Sequence, residues 1–87
     1  FWDGSFLDIY EVITTELGYP VRINYSYTYL SDDRLIFRYD NAPHHPEIIT
    51  HPHHKHIGPR DRLAPADQPS LSQVVAEIEA FIGQRTK

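Results

Sequence analysis

The chain's six histidines are His44, His45, His51, His53, His54 and His56, all within thirteen consecutive positions of an 87-residue sequence. Random placement would not cluster them in this way. Imidazole exchanges protons near neutral pH and, when neutral, ligates transition metals. The surrounding stretch, RYDNAPHHPEIITHPHHKHIG, adds Arg38, Asp40, Asn41 and Lys55, so a cation, a carboxylate and an amide accompany the imidazoles. Pro43, Pro46 and Pro52 remove backbone donors and fix φ, which predicts a pinned, extended loop and disfavours a helix or a central strand. Proline, isoleucine and lysine interrupt the histidines and the stretch lies mid-chain, which sets it apart from a purification tag.

Three readings of this stretch follow. In the first, residues 55–57 return to a sheet as a short strand. Alternation then puts His54 and His56 on one face and His53 with Lys55 on the other. Two imidazoles on one face suit phosphodiester cleavage by acid and base, one taking a 2′-OH proton and the other protonating the 5′-oxygen, with no cofactor. Arg38 or Lys55 would steady the phosphorane, while Asp40 and Asn41 would orient an imidazole or hold the loop through Asx-type hydrogen bonds. In the second reading the spacings, with Glu47 or Asp40, hold zinc or another divalent ion, and the ligand candidates are His44, His45, Glu47, His51 and His53. No HExxH pattern is present. In the third, the loop is structural or binds a protein. The first reading requires His54 and His56 to converge on one phosphate-sized site, the second three or more ligand side chains within coordination distance, and the third neither.

The elements around the loop predict an α+β fold, a small antiparallel meander of three to five strands covered on one face by a C-terminal helix. Residues 5–14 read as an inner strand, with Leu7, Ile9 and Ile13 on one face and Phe6, Tyr10 and Val12 on the other. Residues 21–30 alternate more cleanly: Val21, Ile23, Tyr25, Tyr27 and Tyr29 face one way, Arg22, Asn24, Ser26 and Thr28 the other. After a turn at 31–34, a third strand puts Leu35, Phe37 and Tyr39 opposite Ile36, Arg38 and Asp40. The tyrosines are expected in the core. Residues 58–69 read as loop because of Pro59, Pro65 and Pro69, with Arg60, Asp61 and Arg62 as a solvated charge cluster or a phosphate contact. Ser70 and Gln73 have capping-box spacing, and Leu71, Val74, Val75, Ile78, Phe81 and Ile82 form one apolar stripe ending at Gly83, with Gln73, Glu77 and Glu79 on the polar side. Helix stripe and aromatic sheet face cover each other, leaving Arg22, Asn24, Ser26, Thr28, Arg38 and Asp40 on an open face.

At this length the chain is one domain with a thin core. The absence of cysteine excludes disulfides, thiolate metal sites and a cysteine nucleophile, and fits a reducing cytoplasm. The apolar runs are too short for a membrane span, so a cytoplasmic protein with no membrane partner is expected. The net charge of −4 argues against a non-specific nucleic-acid coater. Yet five Lys/Arg against three Asp/Glu lie between Arg34 and Arg62, and the first twenty residues carry only acids. Such a locally basic centre can hold a phosphate. The opening Phe1-Trp2-Asp3-Gly4-Ser5 carries a hairpin signal with only two residues before it, from which a missing N-terminal strand is inferred. The exposed edge this leaves invites a homodimer or a partner strand.

FWDGSFLDIYE, LIFRYDNAPHHPEIITHPHHKHIG and the closing amphipathic helix resemble the TumE family of toxin–antitoxin toxins over essentially the whole chain. The specific part is Arg38-Tyr39-Asp40-Asn41 followed by His54-Lys55-His56-Ile57-Gly58. The resemblance implies a growth-inhibiting toxin with a cognate antitoxin, often one carrying a helix-turn-helix DNA-binding domain, and, by analogy with other compact toxins, RNA as its target. On matching positions it carries over Arg38, Asp40, Asn41, His54 and His56, with Lys55 in a basic slot. Short members of the family lack the insert APHHPEIITHPH, so the resemblance gives His44, His45, His51 and His53 no role.

Overall fold

A computed structural model describes residues 1–85. The elements run β1 (Phe6–Thr14), β2 (Val21–Ser31), β3 (Arg34–Asp40), β4 (His54–Ile57), β5 (Arg62–Pro65) and α1 (Leu71–Arg85). The five strands form one antiparallel sheet in chain order, as the α+β expectation required. Among the described residues no helix is long and apolar enough to cross a membrane.

The core forms where α1 lies on one face of the sheet. Tyr25, Tyr27, Tyr29, Phe37, Val74, Ile78 and Ile82 are buried, with Leu7, Ile36, Tyr39, Leu71 and Phe81 packed around them. The tyrosines satisfy their hydroxyls at the rim of this core: Tyr29 donates to Ser5 Oγ at 2.8 Å, Tyr27 to Glu11 at 2.5 Å and Tyr39 to Glu77 at 2.5 Å. The helix starts with the expected capping box. Ser70 N donates to Gln73 Oε1 at 2.8 Å and Gln73 N to Ser70 Oγ at 3.1 Å, satisfying two of the orphan donors of the first turn.

Several expectations are corrected. β1 is an edge strand, paired only with β2 among the described residues, and Phe6, Ile9, Tyr10 and Ile13 are about half exposed. Register shifts explain two more. Val12 pairs with Asn24 but Ile13 pairs with Arg22, so Ile23 is the extra residue of a β-bulge. The bulge turns Arg22 off the open face and onto the tyrosines, 4.6 Å above the Tyr25 ring, with its guanidinium donating to Tyr27 and, at 2.7 Å, to the Pro69 carbonyl. Likewise Tyr29 pairs with Phe37 but Leu30 with Leu35, so Ile36, not Leu35, joins the core. The residues expected as loop contain β5, a short outer strand that can end in Pro65 because an edge has no second partner to hydrogen-bond. The helix continues through Gly83 to Arg85, and Glu77 faces the sheet instead of solvent.

Gly58 lets the chain pass from β4 beneath the β3 bulge. Its amide donates to the Ile36 carbonyl at 2.9 Å, and a Cβ there would sit inside the van der Waals envelope of the Leu35 carbonyl. Ile78 is fully buried whereas Phe81 is only partly so, so the helix's strongest anchor is the isoleucine. Urea titration is expected to show a loss of about 2 to 5 kcal/mol for Ile78→Ala and a smaller loss for Phe81→Ala. Equal, sub-kilocalorie effects would mean that α1 does not close the core.

Candidate functional site

The uncovered sheet face carries the site. Antiparallel pairing sets Ser26 opposite Asp40 and Thr28 opposite Arg38, then Asp40 opposite His54 and Arg38 opposite His56, so all six side chains share that face. Asp40 is the hub. Its side chain is 4 % exposed, and donors converge on both oxygens: His54 Nε2 at 2.9 Å and the Ala42 amide at 3.0 Å on Oδ1, Arg38 Nε at 3.0 Å on Oδ2. His56 Nε2 stands 3.6 Å from the same Oδ2. Asp40 thus contacts an imidazole and the amide at the start of the loop through the same oxygen.

His54 is as buried as its partner, and its Nδ1 meets the Pro52 carbonyl at 2.9 Å. With an acceptor at each ring nitrogen it is a scaffold residue. His56 and His45 are different. His56 Nδ1 bonds Asp61 Oδ1 at 2.8 Å, and His45 Nδ1 bonds Glu47 Oε1 at 3.2 Å. An Nδ1 that donates to a carboxylate leaves Nε2 with a lone pair, the tautomer a proton carrier or a metal ligand needs. The Glu47 carboxyl is held below the usual carboxylate range by its own backbone amide and by His45. The centroids of the His45 and His56 rings are 5.9 Å apart. Arg38, Asp40, Ala42, His44, His45, His54 and His56 line a cleft of about 210 Å³. A second cleft of about 210 Å³, with Tyr10, Asn24 and Ser26 in its wall, shares Arg38, Asp40 and Ala42 with the first.

A family model described as Toxin TumE matches residues 1–86. The chain belongs to the TumE toxin family. No curated protein and no solved structure matches it.

In this TumE chain, then, the fold brings together Arg38, Asp40, His54 and His56, and it adds His45. Lys55 does not join them. Strand pleat points it to the helix side, where it bonds Glu77 at 2.6 Å and lies over the rings of Phe37 and Tyr39. Burial pulls the Lys55 ammonium down, but Glu77 and Tyr39 outweigh it and its pKa is raised, so it remains a core-rim cation. Asn41 holds the sheet: its Oδ1 accepts from the Tyr25 amide at 3.1 Å and its Nδ2 donates to the Ile23 carbonyl at 2.9 Å, filling in beside the bulge. His44 and His51 are exposed. Of the ligand candidates expected from spacing, His44 and His45 line the cleft and Glu47 holds the His45 ring, while His51 and His53 lie away from it. Asp61 was legible only as a member of a charged turn; its φ of 54° aims it back at His56, and nothing local in the sequence signals that.

His53 serves the other face, stacked on Tyr25 with its Nδ1 2.8 Å from the phenol oxygen. Burial pushes that phenol up to about 12, so it stays protonated and donates. Desolvation, and then the charge of Arg22, lower the His53 pKa below its ordinary value. As pH falls through about 6.5 the unfolded chain takes this proton before the folded one does, so stability present above that pH is lost on acidification. Urea midpoints at pH 7 and pH 5 are expected to fall further for wild type than for His53→Gln. Identical pH slopes would contradict it.

Proposed function

We propose that this chain is the toxin half of a toxin–antitoxin pair and cleaves RNA by metal-independent acid–base chemistry, with His45 and His56 as the proton carriers. The observation that carries this reading is a pair of imidazoles open to one cleft, each with Nδ1 held by a carboxylate, beside the Arg38 guanidinium. In the sequence-based expectation His54 filled one of these roles. Its burial and its two engaged nitrogens favour His45 instead.

One imidazole takes the ribose 2′-OH proton at Nε2 as the 2′-oxygen attacks phosphorus. The P–O5′ bond breaks, and the other imidazole delivers its proton to the departing 5′-oxygen, leaving a 2′,3′-cyclic phosphate and a 5′-hydroxyl. Asp61 and Glu47 hold the rings and stabilise whichever is charged, as a carboxylate does in a catalytic triad. Arg38, tethered through Nε to Asp40 and about half exposed, offers its remaining donors to the phosphorane oxygens. RNA is preferred as substrate over DNA because the nucleophile is the 2′-OH, which spares the site from activating a water. The action belongs in the cytoplasm. Family membership supports an antitoxin partner, and one with a helix-turn-helix DNA-binding domain is the expected form. The edge of β1, unpaired among the described residues, is the place where an antitoxin strand, or a second copy, would add.

The test is purified protein, free of antitoxin, with end-labelled single-stranded RNA in EDTA. Alanine at His45 or at His56 is expected to slow cleavage by about 10² to 10⁴ with little change in the melt. Arg38→Ala should slow it by about 10² to 10³. His54→Ala, by contrast, should lower the denaturation midpoint, because it strips a buried carboxylate of a partner. Equal residual cleavage by wild type and His56→Ala would mean contamination and sink the reading.

A further inference from the structure

Three imidazoles meet in the cleft, and the third has a consequence beyond acid–base chemistry. His45, His54 and His56 each offer one ring nitrogen, and these lie within 4.8 Å of one another. Every one of the three rings has its Nδ1 engaged by an oxygen acceptor: Glu47 at 3.2 Å, the Pro52 carbonyl at 2.9 Å and Asp61 at 2.8 Å. Carboxylates and backbone carbonyls in that position are what orient metal-ligating histidines, fixing the tautomer and raising the basicity of Nε2. Two of the Nε2 atoms, those of His54 and His56, approach Asp40 at 2.9 and 3.6 Å. At 2.9 Å a bare Nε2 and a carboxylate oxygen repel unless a cation lies between them, so in the metal-free protein a proton joins His54 to Asp40, and a metal ion would take that proton's place. Around a tetrahedral ion with bonds of about 2.0 to 2.2 Å, neighbouring ligand atoms stand roughly 3.3 to 3.5 Å apart, between the two observed separations. His45 and His56 have side chains 33 % and 18 % exposed, so they have room to close the remaining gap. The charges also balance: the carboxylates of Asp40, Glu47 and Asp61 offset Arg38 and one divalent ion.

We infer that His45, His54 and His56, with the Asp40 carboxylate completing the set, bind one zinc-class ion, and that the bound ion silences the cleft by occupying the Nε2 atoms needed for proton transfer. The silencing rests on the acid–base reading above; the binding does not.

Two experiments separate them. The chain is stripped with EDTA, freed of chelator and titrated with zinc sulfate by calorimetry without RNA. One ion per chain is expected. His45→Ala should weaken binding at least tenfold, and Asp61→Asn by about 10- to 100-fold, as removal of an outer-shell partner does. Asparagine tolerates the left-handed backbone at position 61, where φ is 54°, so this variant keeps the fold. Alanine at His51, which does not line the cleft, should leave the titration unchanged. Equal zinc affinity in wild type, His45→Ala and Asp61→Asn would overturn the site. In the second experiment RNA cleavage is followed before and after one equivalent of zinc. Loss of cleavage that EDTA restores is the expected result, and cleavage that requires zinc would overturn the silencing. One-to-one binding by a chain that never cleaves RNA would uphold the site and remove the acid–base reading.

Discussion

A carboxylate only 4 % exposed in the middle of a sheet face is costly unless donors reach it, and the site is organised around meeting that demand at Asp40. The Ala42 amide, Arg38 and His54 supply those donors at 2.9 to 3.0 Å. Removing one member of such a buried set typically costs about 3 to 5 kcal/mol, which is a large share of the stability of a small domain. The same contacts hold the register of β3 on β4. A slip of one residue would send His54 and His56 to the helix side and bring Lys55 to the open face, losing Asp40's partner and the Lys55–Glu77 ion pair together.

That register divides the labour of two short strands. On the covered side Phe37, Tyr39 and Lys55 close against α1, with Glu77 bridging the tyrosine hydroxyl and the ammonium. On the open side Arg38, Asp40, His54 and His56 form a rigid row, and the accessible groups are brought to it by loops. The proline-rich segment before β4 delivers His45 with Glu47, and the turn after β4 delivers Asp61. Thr50 ties the segment down: its hydroxyl donates to the His53 carbonyl at 2.6 Å and accepts from the Ala66 amide at 3.0 Å, so the loop is anchored to both ends of the β4–β5 hairpin. Rigid strands for positioning and anchored loops for chemistry are what a preorganised site requires.

Periodicity in the sequence was enough for β2, β3 and α1, because each buries one face at its own period and the tyrosines of β2 alternate without interruption. Alternation also paired His54 with His56 and set Lys55 opposite, which already spoke against using Lys55 beside them. Where local reasoning failed, the cause was a single residue out of phase or a long-range closure. The bulges at Ile23 and Ile36 reverse Arg22 and exchange Leu35 for Ile36, and an inserted residue in a strand has no composition of its own. β5 has no strand signature of its own because it is only four residues long and the last of them is Pro65. His45 and Asp61 approach His56 only after the chain closes on itself, from eleven residues before it and five after.

Both the acid–base chemistry and the ion site depend on which nitrogen of each accessible imidazole is bare. Long-range ¹⁵N–¹H correlation spectra of the histidine-labelled, metal-free protein, recorded at a pH where the rings are neutral, read this directly. The Nδ1–H tautomer is expected for both His45 and His56, with Nε2 unprotonated and facing the cleft. An Nε2–H tautomer at either residue would contradict it, since that ring could neither take the 2′-OH proton nor ligate an ion through the nitrogen the cleft presents.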